Sequence, residues 1–113
     1  MAVKRGEVWQ ADLSPTRGTE QAGVRPVLVV QTDRANPHSP HTIVVPFTTR
    51  IRKKQLPSHV LVPAGEGGLT QDSVALCEQI RVTDNGRLIK RLGDLDTARM
   101  QEVDAALRAI LDL

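Results

Sequence analysis

The 113-residue sequence is poor in aromatic side chains. It contains one tryptophan, Trp9, one phenylalanine, Phe47, and no tyrosine. Proteins that bind single-stranded nucleic acid usually stack the bases on aromatic rings. If this chain binds such a ligand, recognition must instead depend on arginine, side-chain amides and backbone groups in a groove.

Cysteine and long apolar runs are also scarce. Cys77 is the single cysteine, so an internal disulfide is excluded, and its apolar neighbours Val74–Leu76 predict a buried thiol. No segment is long and apolar enough to cross a membrane. Residues 1–5 lead directly into a polar-alternating strand, which is not typical of a signal peptide. We expect one domain, residues 1–113, that does not bind membranes and is located in the cytoplasm.

Basic and acidic residues are present in nearly equal numbers. Fifteen basic residues against thirteen acidic ones give a net charge of +2, which is too small to indicate a polyanionic partner by itself. The basic residues are grouped, however: Arg50, Arg52, Lys53 and Lys54 fall within five positions, Arg17 and Arg25 flank the first long loop, and Lys4 and Arg5 precede the first strand. These loops form an anion-attracting surface if the fold brings them together, and are simply solvated otherwise.

Short β-branched segments separated by Gly- and Pro-rich turns predict a mainly β fold. The predicted strands are residues 6–13, 26–32, 42–49, 59–62, 73–83 and 87–90. Val27–Val30 is an unbroken apolar run, as in a strand buried on both faces. Pro46 lacks an N–H and predicts a bulge or an edge in the third strand. Asp84-Asn85-Gly86 predicts a tight turn from which residues 87–90 return.

The end of the sequence changes to a helical period. Met100, Val103, Leu107, Ile110 and Leu111 fall on one helical face. Asp96 is a suitable N-cap, and Leu95 and Met100 are placed to form a hydrophobic staple across it. The pattern predicts a small, strongly bent β-barrel closed by a C-terminal α-helix.

Common catalytic and metal-binding motifs are poorly supplied. His38, His41 and His59 are scattered, and one cysteine with no clustered carboxylates does not furnish a zinc site, so we expect surface histidines and no metal. For the same reason, a ribonuclease mechanism based on a histidine pair is disfavoured. Residues 65–68 match neither the P-loop nor the dinucleotide-binding glycine motif, and they predict a turn.

Several segments, in order along nearly the whole chain, resemble the MazF/PemK/ChpB family of toxins. They are Lys4-Arg5-Gly6-Glu7-Val8-Trp9, the stretch from Gly18 to Val30 with its Arg25-Pro26 pair, Val44-Val45-Pro46-Phe47-Thr48-Thr49, Asp72-Ser73-Val74 and Glu78-Gln79-Ile80-Arg81. Each segment is weak by itself, and the specificity lies in the combination.

The resemblance implies an SH3-like (CcdB/PemK-type) β-barrel, a homodimer, and an endoribonuclease that cuts single-stranded RNA at a short motif without a metal or other cofactor. It also implies a neutralising, MazE-like antitoxin whose acidic flexible tail covers the RNA groove. Catalysis in the family is assigned to the arginine of the Arg-Pro pair and to a threonine at the end of the third strand, which correspond here to Arg25 and Thr48.

The chemistry of these two side chains agrees with part of that assignment. RNA cleavage without a metal uses the 2′-hydroxyl as nucleophile, and requires proton transfer and positive charge near the phosphorane. Arg25 supplies a permanent cation, and Thr48 supplies a hydroxyl donor, but neither is a good general base. Glu20 could orient Arg25 or accept the proton. The alternatives are a surface salt bridge between Arg25 and Glu20, and a threonine that only fills a strand.

Binding residues are implied at family groove positions. These are Arg5, Thr19, Glu20 and Gln79, with Leu56 and Pro57 as base-contacting residues after the basic loop of Arg50, Arg52, Lys53 and Lys54. Two other functions remain open: a CcdB-like gyrase poison that cuts nothing, and an SH3-like module that binds RNA and leaves it intact. Fold alone does not separate these possibilities.

Overall fold

The computed structural model describes residues 2–14 and 17–113, and the described part contains seven strands and one α-helix. The elements are β1 (Glu7–Asp12), β2 (Val24–Val29), β3 (His41–Thr48), β4 (His59–Val62), β5 (Ser73–Leu76), β6 (Arg81–Asp84), β7 (Leu88–Asp94) and α1 (Thr97–Leu111). Single 3-10 turns occupy Glu66–Gly68, Cys77–Gln79 and Asn85–Arg87. The predicted class, mainly β with a C-terminal α-helix, is confirmed.

All strand pairs are antiparallel, in the order β4-β5-β3-β2-β1-β7 with β6 also beside β3. Within the described residues, β4 and β7 end this order and do not pair with each other. The barrel is therefore open, and the expectation of a closed one holds only loosely.

The prediction of one continuous strand at residues 73–83 is wrong, because the segment forms two strands. The turn Cys77–Gln79 divides it into β5 and β6, because the two pieces pair with different parts of β3: β5 with residues 47–48 and β6 with residues 41–44. Pro46 lies where the neighbour changes, between Val44 and Phe47, and is opposite Val27 of β2 on the other side. Residues 45–46 pair with neither β5 nor β6, which is a position where a residue without an N–H is tolerated.

A strand is present at residues 88–90 as predicted, but its length and its partner differ from the prediction. Residues 88–94 form the longer β7, which pairs with β1 and does not return along β6. The Asp84 carboxylate accepts a hydrogen bond from the Gly86 N–H (2.7 Å), so this segment forms a 3-10 turn and not a hairpin. Most of β7 is exposed, and its polar residues give no clear strand period.

The sheet is buried on both faces because successive side chains on a strand point in opposite directions. One cluster contains Val8, Leu28 and Val45, and the other contains their chain neighbours Trp9, Val27 and Val44. The predicted burial of Val27–Val30 on both faces is confirmed.

Helix α1 covers the first of these clusters. Asp96 caps it by accepting a hydrogen bond from the Arg99 N–H (2.8 Å), as predicted. Met100, Val103 and Leu107 are buried with Leu95, whereas the predicted apolar face continues past the core, where Ile110 and Leu111 are exposed. No helix in the described ranges is long and apolar enough to cross a membrane.

Candidate functional site

A groove of ≈ 910 Å³ runs across the loops at one side of the sheet. Its walls come from the loop before β2, the end of β3 with the loop that follows, the start of β4, and the turn Cys77–Gln79. The ionisable side chains that line it are Arg25, Arg50, Arg52, Glu20, Glu78 and His59. Three arginines against two glutamates make it a mildly anion-attracting surface, although the whole chain is almost neutral.

Arg25 and Thr48 are neighbours across two strands in this groove. The pairing of β2 with β3 ends at Val27 and Pro46, and just beyond it Arg25 Nη1 donates to the carbonyl of Phe47, the residue before Thr48 (3.4 Å). Both side chains line the groove, so the fold brings together the two residues that the sequence predicts as catalytic.

The Arg25 guanidinium is held in place by the protein. Its Nε donates to the Ala22 carbonyl (2.8 Å), and its Nη1 donates to the Gln21 side-chain oxygen and to the Phe47 carbonyl (3.4 Å). In the described residues Nη2 has no hydrogen-bond partner. An arginine held at Nε and Nη1 can offer the two N–H groups of Nη2 to an anion without reorganising.

Gln79 holds the loop before β2. Its Oε1 accepts from the Gln21 backbone N–H (2.8 Å), and its Nε2 donates to the Thr19 carbonyl (3.3 Å). Since the Gln21 side chain holds Arg25, Gln79 helps to fix the cation through an intermediate residue.

The Thr48 hydroxyl is oriented by the loop that follows β3. Its hydroxyl oxygen accepts a hydrogen bond from the Arg50 backbone N–H (3.1 Å). A threonine hydroxyl is both donor and acceptor, so its own proton remains available to a ligand.

Glu20 lines the groove but does not hold Arg25. Its side chain is 57% exposed, and its nearest cation is Arg81, with Oε2 4.0 Å from Nη1. That Arg81 nitrogen is buried and has no hydrogen-bond partner in the described part of the chain. The alternative of a salt bridge between Arg25 and Glu20 is therefore wrong in this structure, and the orienting role belongs to Gln21.

Some of the other sequence-predicted residues line the groove and some do not. Those that line the groove are Thr19, Glu20, Gln79, Arg50, Arg52 and Leu56. Pro57, Lys53 and Lys54 belong to the same exposed loop but are not part of the lining. Arg5 lies elsewhere, because its Nη2 pairs with Asp104 of α1 (2.6 Å) and its Nε donates to the Val30 carbonyl (2.9 Å).

Among the groove residues that sequence reasoning missed, Gln21, His59 and Glu78 hold other parts of the site. His38 and His41 are exposed as predicted, but the side chain of His59 is only 11% exposed and its Nε2 lies 2.9 Å from Glu78 Oε2. Gln21 and Glu78 stand inside the quoted family segments, and that position was the available signal. For His59 there was none, because its partner is 19 residues away.

Burial and hydrogen bonding act in opposite directions on Glu78. Burial alone would raise the pKa of this carboxyl. The hydrogen bonds from its own backbone N–H, from His59 and from Ser58 outweigh burial and hold the pKa below its usual value. Glu78 is thus kept as an anion in the groove wall.

Cys77, next to Glu78, points into the core. Burial, followed by the charge of Glu78, raises the pKa of its thiol to about 12, and the residue is fully buried, as predicted. In residues 2–14 and 17–113, no three side chains of His, Cys, Asp or Glu are grouped so that they could hold a metal ion.

Residues 4–111 match the family described as "PemK-like, MazF-like toxin of type II toxin-antitoxin system". The chain is 50% identical over 113 residues to Endoribonuclease EndoA of Bacillus subtilis (strain 168), an alignment that covers 100% of this chain and 97% of that protein.

Solved structures agree. A MazF crystal structure from Deinococcus radiodurans superimposes with a TM-score of 0.85 at 26% identity, over 100% of this chain and 99% of that one. An endoribonuclease in complex with its cognate antitoxin, from Mycobacterial species, gives a TM-score of 0.83 at 26% identity, over 99% and 97%. The chain therefore belongs to the PemK-like, MazF-like toxins of type II toxin–antitoxin systems.

Proposed function

We propose that this MazF-like endoribonuclease cuts single-stranded RNA, such as mRNA, at a short sequence motif without a metal ion. The observation that carries the proposal is the pair Arg25 and Thr48, side by side in one groove, with the arginine already fixed by three hydrogen bonds. A fixed cation and a hydroxyl donor are the groups that a developing phosphorane needs.

In the proposed reaction the RNA supplies its own nucleophile. The 2′-oxygen forms a bond to phosphorus, the bond from phosphorus to the 5′-oxygen breaks, and the products are a 2′,3′-cyclic phosphate and a 5′-hydroxyl. Arg25 Nη2 donates to a phosphate oxygen, and its charge offsets the negative charge that grows there. The Thr48 hydroxyl donates a second hydrogen bond.

The reaction also requires that the 2′-hydroxyl lose a proton and that the 5′-oxygen gain one. We assign acceptance of the first proton to Glu20, and solvent water in the open groove gives the 5′-oxygen its proton. Gln21 orients Arg25, so Glu20 is not needed for that task, and its exposed carboxylate faces the groove. Glu78, the other groove carboxylate, has both oxygens engaged, by Ser58 and by His59.

Binding is assigned to the walls of the groove. Thr19 and Gln79 line one wall, and the loop with Arg50, Arg52 and Leu56 forms the other. Lys53, Lys54 and Pro57 extend the second wall outward, and the charges attract the RNA backbone.

The same groove explains how the toxin would be controlled. An acidic, flexible antitoxin tail has the charge to occupy it and exclude RNA, in keeping with the related toxin solved with its cognate antitoxin. We further propose that residues 1–113 act as one domain in the cytoplasm and assemble as a homodimer. The exposed apolar residues Ile110, Leu111 and Leu113 at the end of α1 are suited to a protein contact.

The test is cleavage of a long single-stranded RNA in excess EDTA, with new 5′ ends mapped by primer extension. We expect discrete cuts by the native protein and a loss of about a hundredfold or more in rate for Arg25→Ala. Arg34→Ala, which removes an exposed arginine outside the groove, is the matched control and should cut like the native protein.

Each contrary result has a distinct meaning. Cuts that vanish in EDTA and return with a divalent cation would overturn metal independence. Intact RNA with folded, antitoxin-free protein would overturn the nuclease assignment, and tight RNA binding or inhibition of gyrase would then identify which alternative is correct.

A further inference from the structure

His59 stands where two walls of the groove meet. It is the first residue of β4 and directly follows the loop of residues 50–58, and its ring faces the turn Cys77–Gln79. Nε2 lies 2.9 Å from Glu78 Oε2, and Glu78 Oε1 accepts from the Ser58 hydroxyl (3.0 Å). Because Glu78 is kept as an anion, Nε2 carries a proton and donates it to this bond.

The other ring nitrogen has two neighbours that require opposite protonation states. The Leu56 backbone N–H points at Nδ1 (3.2 Å) and needs it as an acceptor, whereas Gln55 Oε1 lies 3.0 Å away and needs it as a donor. The Gln55 amide cannot simply be reversed, because its Nε2 donates to the Arg52 carbonyl. One nitrogen cannot satisfy both neighbours at once.

Each protonation state of His59 therefore selects one contact with the loop. The neutral ring accepts from the Leu56 N–H. The charged ring donates to Gln55, which in turn holds the Arg52 carbonyl. Gln55, Leu56 and Arg52 all line the groove, so the exchange alters the wall itself.

Charged groups around the ring come from several elements. Those that share the groove with it are Glu78, Glu20, Arg25, Arg50 and Arg52. Strand β5, which pairs with β4, has no ionisable side chain, and in α1 Arg99 is paired with Glu66 and Asp104 with Arg5. Glu78 is thus the charged partner of the ring within hydrogen-bond distance.

We propose that His59 is a positioning residue whose protonation state sets how the loop of residues 50–57 is held against the turn Cys77–Gln79, and so how tightly the groove binds RNA. The part that concerns RNA rests on the proposed function; the coupling between ring and loop does not. The charged ring anchors Gln55 and Arg52 and adds a positive charge to the groove, so binding is tighter at low pH.

The coupling is tested on the free protein by two-dimensional NMR. Between pH 5 and 8 the Leu56 backbone amide and the Gln55 side-chain amide should shift together with the His59 ring. Both titrations should be absent in His59→Gln and present in His41→Gln, which changes an exposed histidine outside the groove. A Leu56 amide that does not follow the His59 ring in the native protein would overturn the proposal.

The consequence for RNA is tested by the binding constant of a substrate RNA with a 2′-O-methyl group at the mapped cut site. Native protein and His41→Gln should bind about threefold to tenfold more tightly at pH 6 than at pH 8, the weight of one hydrogen bond. His59→Gln should lose this difference. Gln55→Ala, in an exposed loop, should reduce it too and serves if His59→Gln does not fold.

The cleavage rate of bound RNA separates positioning from a general structural effect. At saturating protein the single-turnover rate of His41→Gln, which is changed outside the groove, should stay within about threefold of native, while the binding constant of Gln55→Ala should lose most of its pH dependence. An unchanged pH dependence of binding in His59→Gln would refute the role of His59. If native protein leaves RNA intact, the proposed function fails, and the NMR titration still decides the coupling.

Discussion

Replacing Arg25 by lysine keeps the positive charge and removes the planar fork. In the structure Nε and Nη1 are used to hold the side chain against Ala22, Gln21 and Phe47, while Nη2 is left for a ligand. A lysine has a single nitrogen. If it bonds to these protein acceptors, it cannot reach a phosphate oxygen in the same geometry, and if it turns to the groove, it is no longer held.

The expected loss of cleavage rate follows from the loss of this one donor nitrogen. Loss of one fixed donor to a transition-state charge costs about 3 kcal/mol, or roughly a hundredfold in the cleavage step. Binding should weaken by only a few-fold, because the phosphate backbone is attracted mainly by the number of charges, which does not change. The result should be a slow enzyme that still binds RNA.

The assay is single-turnover cleavage of the mapped RNA at saturating protein, with the binding constant measured separately on the 2′-O-methyl RNA. Arg25→Ala sets the lower limit for the rate. If Arg25→Lys cuts within about threefold of native, charge alone suffices and the argument from the held guanidinium is refuted. If its binding falls as far as its rate, Arg25 contributes to affinity and not specifically to the cleavage step.

Two further predictions concern stability and reactivity. Gly68→Ala should lower the free energy of unfolding in urea by more than about 4 kcal/mol, because a Cβ there would lie 2.0 Å from the Leu92 carbonyl oxygen. Gly65→Ala, at a similarly positive φ but with nothing within 4 Å of the new Cβ, should lower it by only about 1–2 kcal/mol. Equal losses in the two variants would contradict this. Cys77, with its thiol pKa raised to about 12, should not react with an aromatic disulfide reagent at pH 8 until the protein is denatured, and rapid labelling of folded protein would show the opposite.

Local patterns predicted the fold where the burial of an element can be read from its own neighbouring residues. The helical period and Asp96 located α1, and the apolar run at Val27–Val30 located β2 within a few residues. The failures are non-local. Nothing in residues 73–83 indicates that β3 pairs with two different strands, and nothing in the polar segment that forms β7 indicates that β1 is its partner.

The candidate site shows the same division. Arg25 and Thr48 were predicted from motifs, and the structure places both in one groove, where Arg25 contacts the carbonyl of Phe47 beside Thr48. The roles of Gln21, His59 and Glu78 were not predicted. His59 and Glu78 meet across 19 residues at a 3-10 turn that interrupts a strand pattern, and the Gln21 backbone is held by Gln79, 58 residues away.

Gln79 is hydrogen-bonded to the loop that holds Arg25. Its two partners in that loop, Gln21 and Thr19, precede it in the sequence by 58 and 60 residues. On a ribosome, the chain therefore exposes Arg25 and Thr48 well before the residue that fixes their surroundings has been synthesised. One wall of the groove is missing until the turn Cys77–Gln79 has emerged and folded. The groove is therefore complete only late in synthesis, so the order in which the segments appear sets when it can first bind a ligand.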